Sequence, residues 1–185
     1  MAHDHGAPSA DVSVRIAWAD DAESIAGVQV RAWPALYAGL LPAEVLPTDV
    51  EAVAAQWRQA LAKPADARHR VLVALERNRV VGFALTSPAV DPDCDPVADG
   101  ELAEVTLDPA ERAKGHGSRL LQAAVDTLAA DRFTRAVTWV NAGDDALLTF
   151  LTDAGWAADT AHRELDLDGT GTTTVKQVRL HTAIG

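Results

Sequence analysis

One stretch of the chain joins a predicted strand to a predicted helix: Leu107-Asp108-Pro109-Ala110-Glu111-Arg112-Ala113-Lys114-Gly115-His116-Gly117-Ser118-Arg119-Leu120-Leu121. The first N–H groups of a helix lack partners within the helix and carry partial positive charge. Glycines at 115 and 117 remove the side chains that would keep a ligand away from those groups. The stretch therefore predicts a site for a diphosphate at the start of the helix.

Charged residues in the same loop strengthen this prediction. Arg112 and Lys114 place positive charge beside the site, and we expect His116 to contribute its backbone while its side chain points outward. Two other phosphate loops are excluded. The Walker loop requires Gly-Lys-Ser/Thr after its spacer, and the dinucleotide fingerprint requires a third glycine. A pair of glycines alone also fits a helix that merely begins with glycine, so the prediction of a diphosphate site needs support from the rest of the chain.

The hydrophobic periodicity predicts the order β-α-α-β-β-β-α-β-α-β-β from Val12 onward. Consecutive strands in the middle of the chain, including a hairpin around Arg77-Asn78, exclude a doubly wound parallel sheet. We expect an α/β fold with a mixed, mostly antiparallel central sheet and helices on both faces. Pro34, Gly39 and Pro42 interrupt the first helical region, which predicts two short helices there.

The length of 185 residues predicts one domain, which we place at 12–185. Residues 1–11 read as a disordered N-terminal tail. That tail contains His3 and His5, but histidines on a loose tail are usually solvated, so we expect no metal site. No apolar run approaches the ~20 residues that a membrane span requires.

The balance of charge limits the partners. A formal net charge of -11 disfavours nucleic acid and anionic membranes, whereas it tolerates a cationic amine. An anionic cofactor is still compatible, because it needs only a local positive site. Cys94 is the single cysteine of the sequence, which excludes an internal disulfide and fits a cytoplasmic location.

The loop and two other segments together resemble one family. Arg112-x-x-Gly115-x-Gly117 is similar to the Q/R-x-x-G-x-G/A signature of the GNAT N-acetyltransferase superfamily. The segment from Asp144 to Trp156 resembles the N-x-x-A-x-x-F-Y-x-x-x-G-F segment of that family. The stretch from Arg31 to Leu46 resembles members whose first helices cover the acceptor site. The resemblance spans roughly Val12 to Leu180.

The resemblance implies the GNAT acyl-CoA N-acyltransferase fold, with acetyl-CoA as cosubstrate. It implies that backbone groups in a bulged strand bind the pantetheine arm, at Val105, Thr106 and Leu107. It places the pyrophosphate on the loop formed by Arg112, Ala113, Lys114, Gly115, His116, Gly117 and Ser118. On the far side of the cleft it implies contacts from Asn141 and Phe150.

The implied reaction is direct attack of a primary amine on the thioester, with a carboxylate as general base. Glu101 and Glu104 are the candidates. A spacing of three residues places them on opposite faces of a regular strand, so at most one faces the cleft unless a bulge intervenes. Trp33 and Tyr37 are expected at the acceptor site.

The sequence departs from the family where many members have a tyrosine that protonates the leaving thiolate. Leu151 stands there, so the general acid is unassigned. One alternative is therefore a non-catalytic acetyl-CoA-binding or regulatory domain on the same fold, and another is an enzyme that uses a longer acyl-CoA. The acceptor is a small-molecule or protein amine, and a homodimer is left open.

Overall fold

A computed structural model describes residues 11–185. Its strands are β1 (Val12–Ile16), β2 (Arg70–Glu76), β3 (Arg79–Pro88), β4 (Asp99–Leu107), β5 (Arg135–Asn141), β6 (Ala157–Asp166) and β7 (Thr174–Ala183). Its α-helices are α1 (Ala22–Leu36), α2 (Val50–Ala62), α3 (His116–Ala130) and α4 (Asp145–Asp153). Short 3₁₀ helices occupy Ala19–Asp21, Ala43–Val45 and Pro109–Glu111. The predicted order of strands and α-helices is confirmed, whereas all but the last residue of the expected tail lies outside the described residues.

The strands form one seven-stranded sheet in the order β1-β2-β3-β4-β5-β7-β6. Neighbouring strands are antiparallel except β4 and β5, which run parallel. The hairpin between β2 and β3 turns at Arg77 and Asn78, whose φ angles of 48° and 64° suit the tight turns of two-residue hairpins. The predicted mixed, mostly antiparallel sheet is confirmed.

Helices cover both faces of this sheet. On one face α3 and α4 bury a large apolar cluster that includes Leu120, Leu128 and Leu151. On the other face α1 packs Ile25 and Val28 against β2 and β3, and α2 lies beside α1. In the described part of the chain, no helix is both long and apolar enough to cross a bilayer.

The predicted interruption at Pro34 is wrong, whereas the chain does break at Gly39 and Pro42, before the short 3₁₀ helix Ala43–Val45. α1 continues through Pro34 to Leu36, and its end is closed by the Tyr37 N–H, which donates to the Trp33 carbonyl at 2.9 Å. The proline lies in the last turn, so the helix loses only one hydrogen bond there. Gly39, with a φ of 75°, follows the end of the helix.

Candidate active site

A cleft opens in the sheet where β4 and β5 separate. The two strands pair only between Asp99–Glu101 and Arg135–Val137. At the next position the Thr138 hydroxyl donates to the Leu102 carbonyl at 2.7 Å, a buried hydrogen bond that marks the point of divergence. Beyond it β5 pairs with β7 and β4 pairs with β3. The β5-facing edge of residues 103–107 is therefore available to a ligand.

The loop between β4 and α3 has the backbone of an anion site. After the 3₁₀ turn, Ala113 and Gly115 adopt left-handed conformations, with φ angles of 61° and 82°. Such turns before a helix direct successive N–H groups toward one point. α3 begins at His116, so the unpaired N–H groups of its first turn belong to the loop that the sequence predicts for the diphosphate.

Lys114 is less available to a phosphate than the sequence suggested. Its ammonium lies 2.7 Å from Glu111 Oε2, and the Arg79 guanidinium lies 2.6 Å from Glu111 Oε1. These two cations hold the pKa of Glu111 down to about 2. Arg112, in contrast, is exposed at the loop surface and has no ion pair among the described residues.

The expectation that the His116 side chain points outward is wrong. Only 1% of His116 is exposed, and its Nε2 has no hydrogen-bond partner among the described groups. Because α3 begins at this residue, His116 lies on the same helical stripe as Leu120, Ala124 and Leu128, all of which are buried. The backbone of His116 stays in the loop while its ring enters the core.

Two further predicted cofactor residues meet at a cavity of about 310 Å³ between α3 and α4. Ser118 and Phe150 both line it, together with Trp156 and the end of β7. Asn141 lies at the end of β5, where its side-chain oxygen accepts a hydrogen bond from Gln177 at 3.0 Å. The predicted cofactor residues thus fall into two walls, one formed by β4 with the loop and one by β5 with α4.

Both candidate carboxylates face the same side of the sheet. Glu104 is paired with Leu85 and Glu101 with Ser87, while Ala103 is an extra residue between them. Because Leu85 and Ser87 are two residues apart on β3, their partners share one face. The sequence alone did not decide whether a bulge is present. The structure has one, and it places the two side chains about 7 Å apart along the strand.

The two carboxylates have different surroundings. Burial is the main cause that raises the pKa of Glu104, and the Thr106 hydroxyl donates to it at 2.7 Å. Burial also raises the pKa of Glu101, with a further increase from Asp91 that Arg163 and Arg179 oppose. Each group therefore holds a proton more tightly than an exposed glutamate does, which suits a base near neutral pH.

The predicted acceptor residues have separate positions. Tyr37 is half-buried, and burial followed by the charge of Glu104 raises its pKa. Trp33 packs against Val53 and Ala54, so part of its ring contributes to the contact between α1 and α2. Tyr37 is thus the acceptor residue that the structure brings near a candidate base.

Sequence reasoning missed a cluster of charged and aromatic residues beside Glu101. Arg179 is 4% exposed and contacts Asp91, Asp93 and Asp159, and Trp139 donates to Asp91 at 2.9 Å. The signal was present in β7, where an arginine between Val178 and Leu180 must face the side of the sheet opposite to those apolar residues.

A sequence model of the acetyltransferase (GNAT) family matches residues 32–156. No curated protein sequence matches the chain. Among solved structures, yncA of Salmonella typhimurium, determined with its cofactor acetyl-CoA, is 18% identical with a TM-score of 0.68, over 95% of each chain. A ribosomal-protein-alanine N-acetyltransferase from Brucella melitensis is 19% identical with a TM-score of 0.70, over 93% of this chain and 99% of its own. The paia N-acetyltransferase of Thermoplasma acidophilum, determined with coenzyme A, is 15% identical with a TM-score of 0.65, over 93% and 98%.

Proposed function

The chain belongs to the acetyltransferase (GNAT) family, and from that premise we propose that it transfers the acetyl group of acetyl-CoA to a primary amine. The main support for transfer to an amine is the arrangement of the cleft. The cleft between β4 and β5 has a loop with the backbone geometry of an anion site at one end and two half-buried carboxylates on one face. A cofactor that is anionic at one end and reactive at the other fits this arrangement, with a base beside its reactive end.

The residues present fit acetyl-CoA. The N–H groups from Ala113 to Ser118 would hold the pyrophosphate, and the open edge of Val105–Leu107 would pair with the pantetheine amides. Asn141 would contribute from the opposite wall, because its oxygen is already bonded to Gln177 and its amide N–H₂ remains to donate. Arg112 supplies charge at the loop surface in place of the paired Lys114.

The proposed chemistry starts with loss of a proton from the acceptor ammonium to Glu101 or Glu104. The neutral nitrogen then attacks the thioester carbon and forms a tetrahedral oxyanion in which the nitrogen is cationic. The nitrogen loses its second proton to solvent, and the C–S bond breaks to release the thiolate. Leu151 is 2% exposed and packs in the core, so it has no part in this step. We propose that solvent protonates the thiolate.

Release of free thiol from acetyl-CoA, measured with a panel of primary amines, tests this function. We expect turnover with at least one amine. Glu101→Gln and Glu104→Gln keep the shape of the side chain, and loss of a general base lowers kcat by about 10²-fold or more. Glu23→Gln, on the exposed first turn of α1, is the matched control for loss of one negative charge.

Two outcomes would support other functions. Binding of acetyl-CoA in calorimetry without turnover of any small amine or amine-bearing peptide would favour a regulatory domain. Faster turnover with a longer acyl-CoA than with acetyl-CoA would change the donor while leaving the acceptor chemistry in place. Assembly as a homodimer stays a prediction, and sedimentation of the purified chain measures it directly.

A further inference from the structure

A buried arginine, Arg179, contacts three aspartates close to Glu101 in the fold. Arg179 lies on β7, and its Nη2 and Nη1 contact the two carboxylate oxygens of Asp93 at 2.6 and 2.8 Å. Its Nη1 also contacts Asp91 at 3.2 Å, and its Nε contacts Asp159 at 2.7 Å. One guanidinium thus joins the loop between β3 and β4 to strands β6 and β7.

The sheet places this cluster on the face that carries Glu101. Val137 of β5 is the register partner of Glu101, and Trp139 lies two residues further along the same face. Trp139 in turn is the register partner of Arg179. Two strand spacings, about 10 Å, therefore separate the backbone of β4 at Glu101 from that of β7.

The same contacts fix the loop that covers this face. Residues 89–98 connect β3 to β4, and β4 reaches Glu101 only two residues after it begins. Asp91 of this loop accepts a hydrogen bond from Trp139 Nε1 at 2.9 Å as well as from Arg179. Arg163 of β6 stacks over the Trp139 ring at 4.2 Å to its centroid. Without Arg179, Asp91 and Asp93 would lose the ion pairs that tie this loop to β7.

We propose that Arg179 is a positioning residue for acceptor activation: by holding Asp91 and Trp139 in place, it fixes the surroundings of Glu101. This inference rests on the proposed function for its catalytic meaning. The charged groups that face Glu101 come from separate elements, namely Asp91 from the loop, Arg163 from β6 and Arg179 from β7. Burial is the main cause of the raised pKa of both glutamates, but the cluster contributes only to that of Glu101 and not to that of Glu104.

Burial is the main cause of the raised pKa of Glu101, and the cluster modifies that pKa in two opposing ways. Asp91 raises the pKa of Glu101, and the two arginines lower it. Asp91→Asn keeps an oxygen to accept from Trp139 and removes the negative charge. Arg179→Lys keeps the positive charge but cannot bind the separate aspartates through a planar fork.

Titration of the Glu101 side-chain carboxyl by ¹³C NMR measures its pKa and requires no turnover. Glu101→Gln assigns the signal. We expect Asp91→Asn to lower the pKa of Glu101. We expect Arg179→Lys to change it as well, because the loop is released. Arg70→Lys and Asp131→Asn break a comparable Arg–Asp fork, with contacts of 3.1 and 2.7 Å at a different place in the fold, and they should leave the Glu101 titration unchanged.

Kinetics give the second readout. In Arg179→Lys we expect kcat/KM for the acceptor to fall about tenfold, which corresponds to loss of a charge-assisted contact, and we expect Arg70→Lys to retain the parent value. An unchanged Glu101 titration in Arg179→Lys would overturn the inference, whatever Asp91→Asn shows, and would leave Arg179 a purely structural residue. A shifted titration in a protein that acetylates no amine would instead overturn the proposed function.

Discussion

Replacement of Gly117 by alanine should weaken the binding of acetyl-CoA without lowering the free energy of unfolding. A Cβ atom at this position would lie 3.5 Å from Leu107 Cδ1 and 3.8 Å from Phe150 Cζ, which are ordinary van der Waals distances. Gly117 lies in the first turn of α3, and its φ angle is not in the left-handed region. Alanine is the better helix former by up to about 1 kcal/mol. The free energy of unfolding should therefore stay unchanged or rise by that amount.

Binding of acetyl-CoA should weaken in the same variant. The added methyl group stands at the helix start, where the backbone N–H groups have to approach the pyrophosphate closely. Loss of one charge-assisted hydrogen bond removes about 1.5–3 kcal/mol. A loss of about 1.4 kcal/mol already raises Kd tenfold, so we expect at least that change in calorimetry with acetyl-CoA.

Two other glycines supply matched controls. Gly115 and Gly169 have φ angles of 82° and 71°, where a Cβ atom costs about 1–2 kcal/mol. Gly115→Ala should lose both stability and affinity, whereas Gly169→Ala, at the tip of the hairpin between β6 and β7, should lose stability alone. If Gly117→Ala bound acetyl-CoA as tightly as the parent protein, the assignment of the loop to the pyrophosphate would be wrong.

Three further variants test the cleft. Glu104→Gln should be more stable than the parent protein at pH 8, because the raised pKa of Glu104 means that its ionisation in the folded state costs free energy. This advantage should shrink as the pH falls through the raised pKa. Urea unfolding of both proteins at pH 8 and pH 5 measures the difference. Thr138→Val removes the hydroxyl that donates to the buried Leu102 carbonyl and should lower the free energy of unfolding by about 1–3 kcal/mol. An unchanged midpoint of urea unfolding would show that this hydrogen bond does not stabilise the fold. Gly100→Ala places a Cβ atom 2.6 Å from Leu128 Cδ2 and 2.8 Å from Phe133 Cδ2, so thermal unfolding should show a loss of about 1–3 kcal/mol from overpacking.

Local patterns in the sequence predicted most of the fold. The order of the elements and the hairpin turn at Arg77 and Asn78 agree with the prediction, and Asp49 caps α2 locally by accepting the N–H groups of Glu51 and Ala52. These features depend on neighbours within a few residues. Pro34 misled the prediction because a proline near a helix end costs much less than one in its middle.

The acceptor side of the site could not be predicted in the same way. The face to which Glu101 and Glu104 point depends on the extra residue Ala103, and a bulge is fixed by the pairing of β4 with β3 rather than by the residues of β4 alone. The partners of Arg179 lie 20 to 88 positions away in the chain. A run of aspartates in a loop is usually solvated, so the burial of this cluster appears only when the sheet is assembled.

Asp108 links the loop proposed for the cofactor to α1, the helix that leads to the proposed acceptor residues. Asp108 stands between β4 and the phosphate loop, is 5% exposed, and uses Oδ1 to cap the 3₁₀ turn at Ala110 at 3.1 Å. Its Oδ2 accepts from the Arg31 guanidinium of α1 at 3.0 and 2.8 Å. α1 also carries Trp33 and leads to Tyr37, the two residues proposed to contact the acceptor. These bonds hold α1 and the loop between β4 and α3 to one buried carboxylate. If cofactor and acceptor bind as proposed, movement of the loop would be transmitted to α1, so we expect the affinity for one substrate to depend on the other.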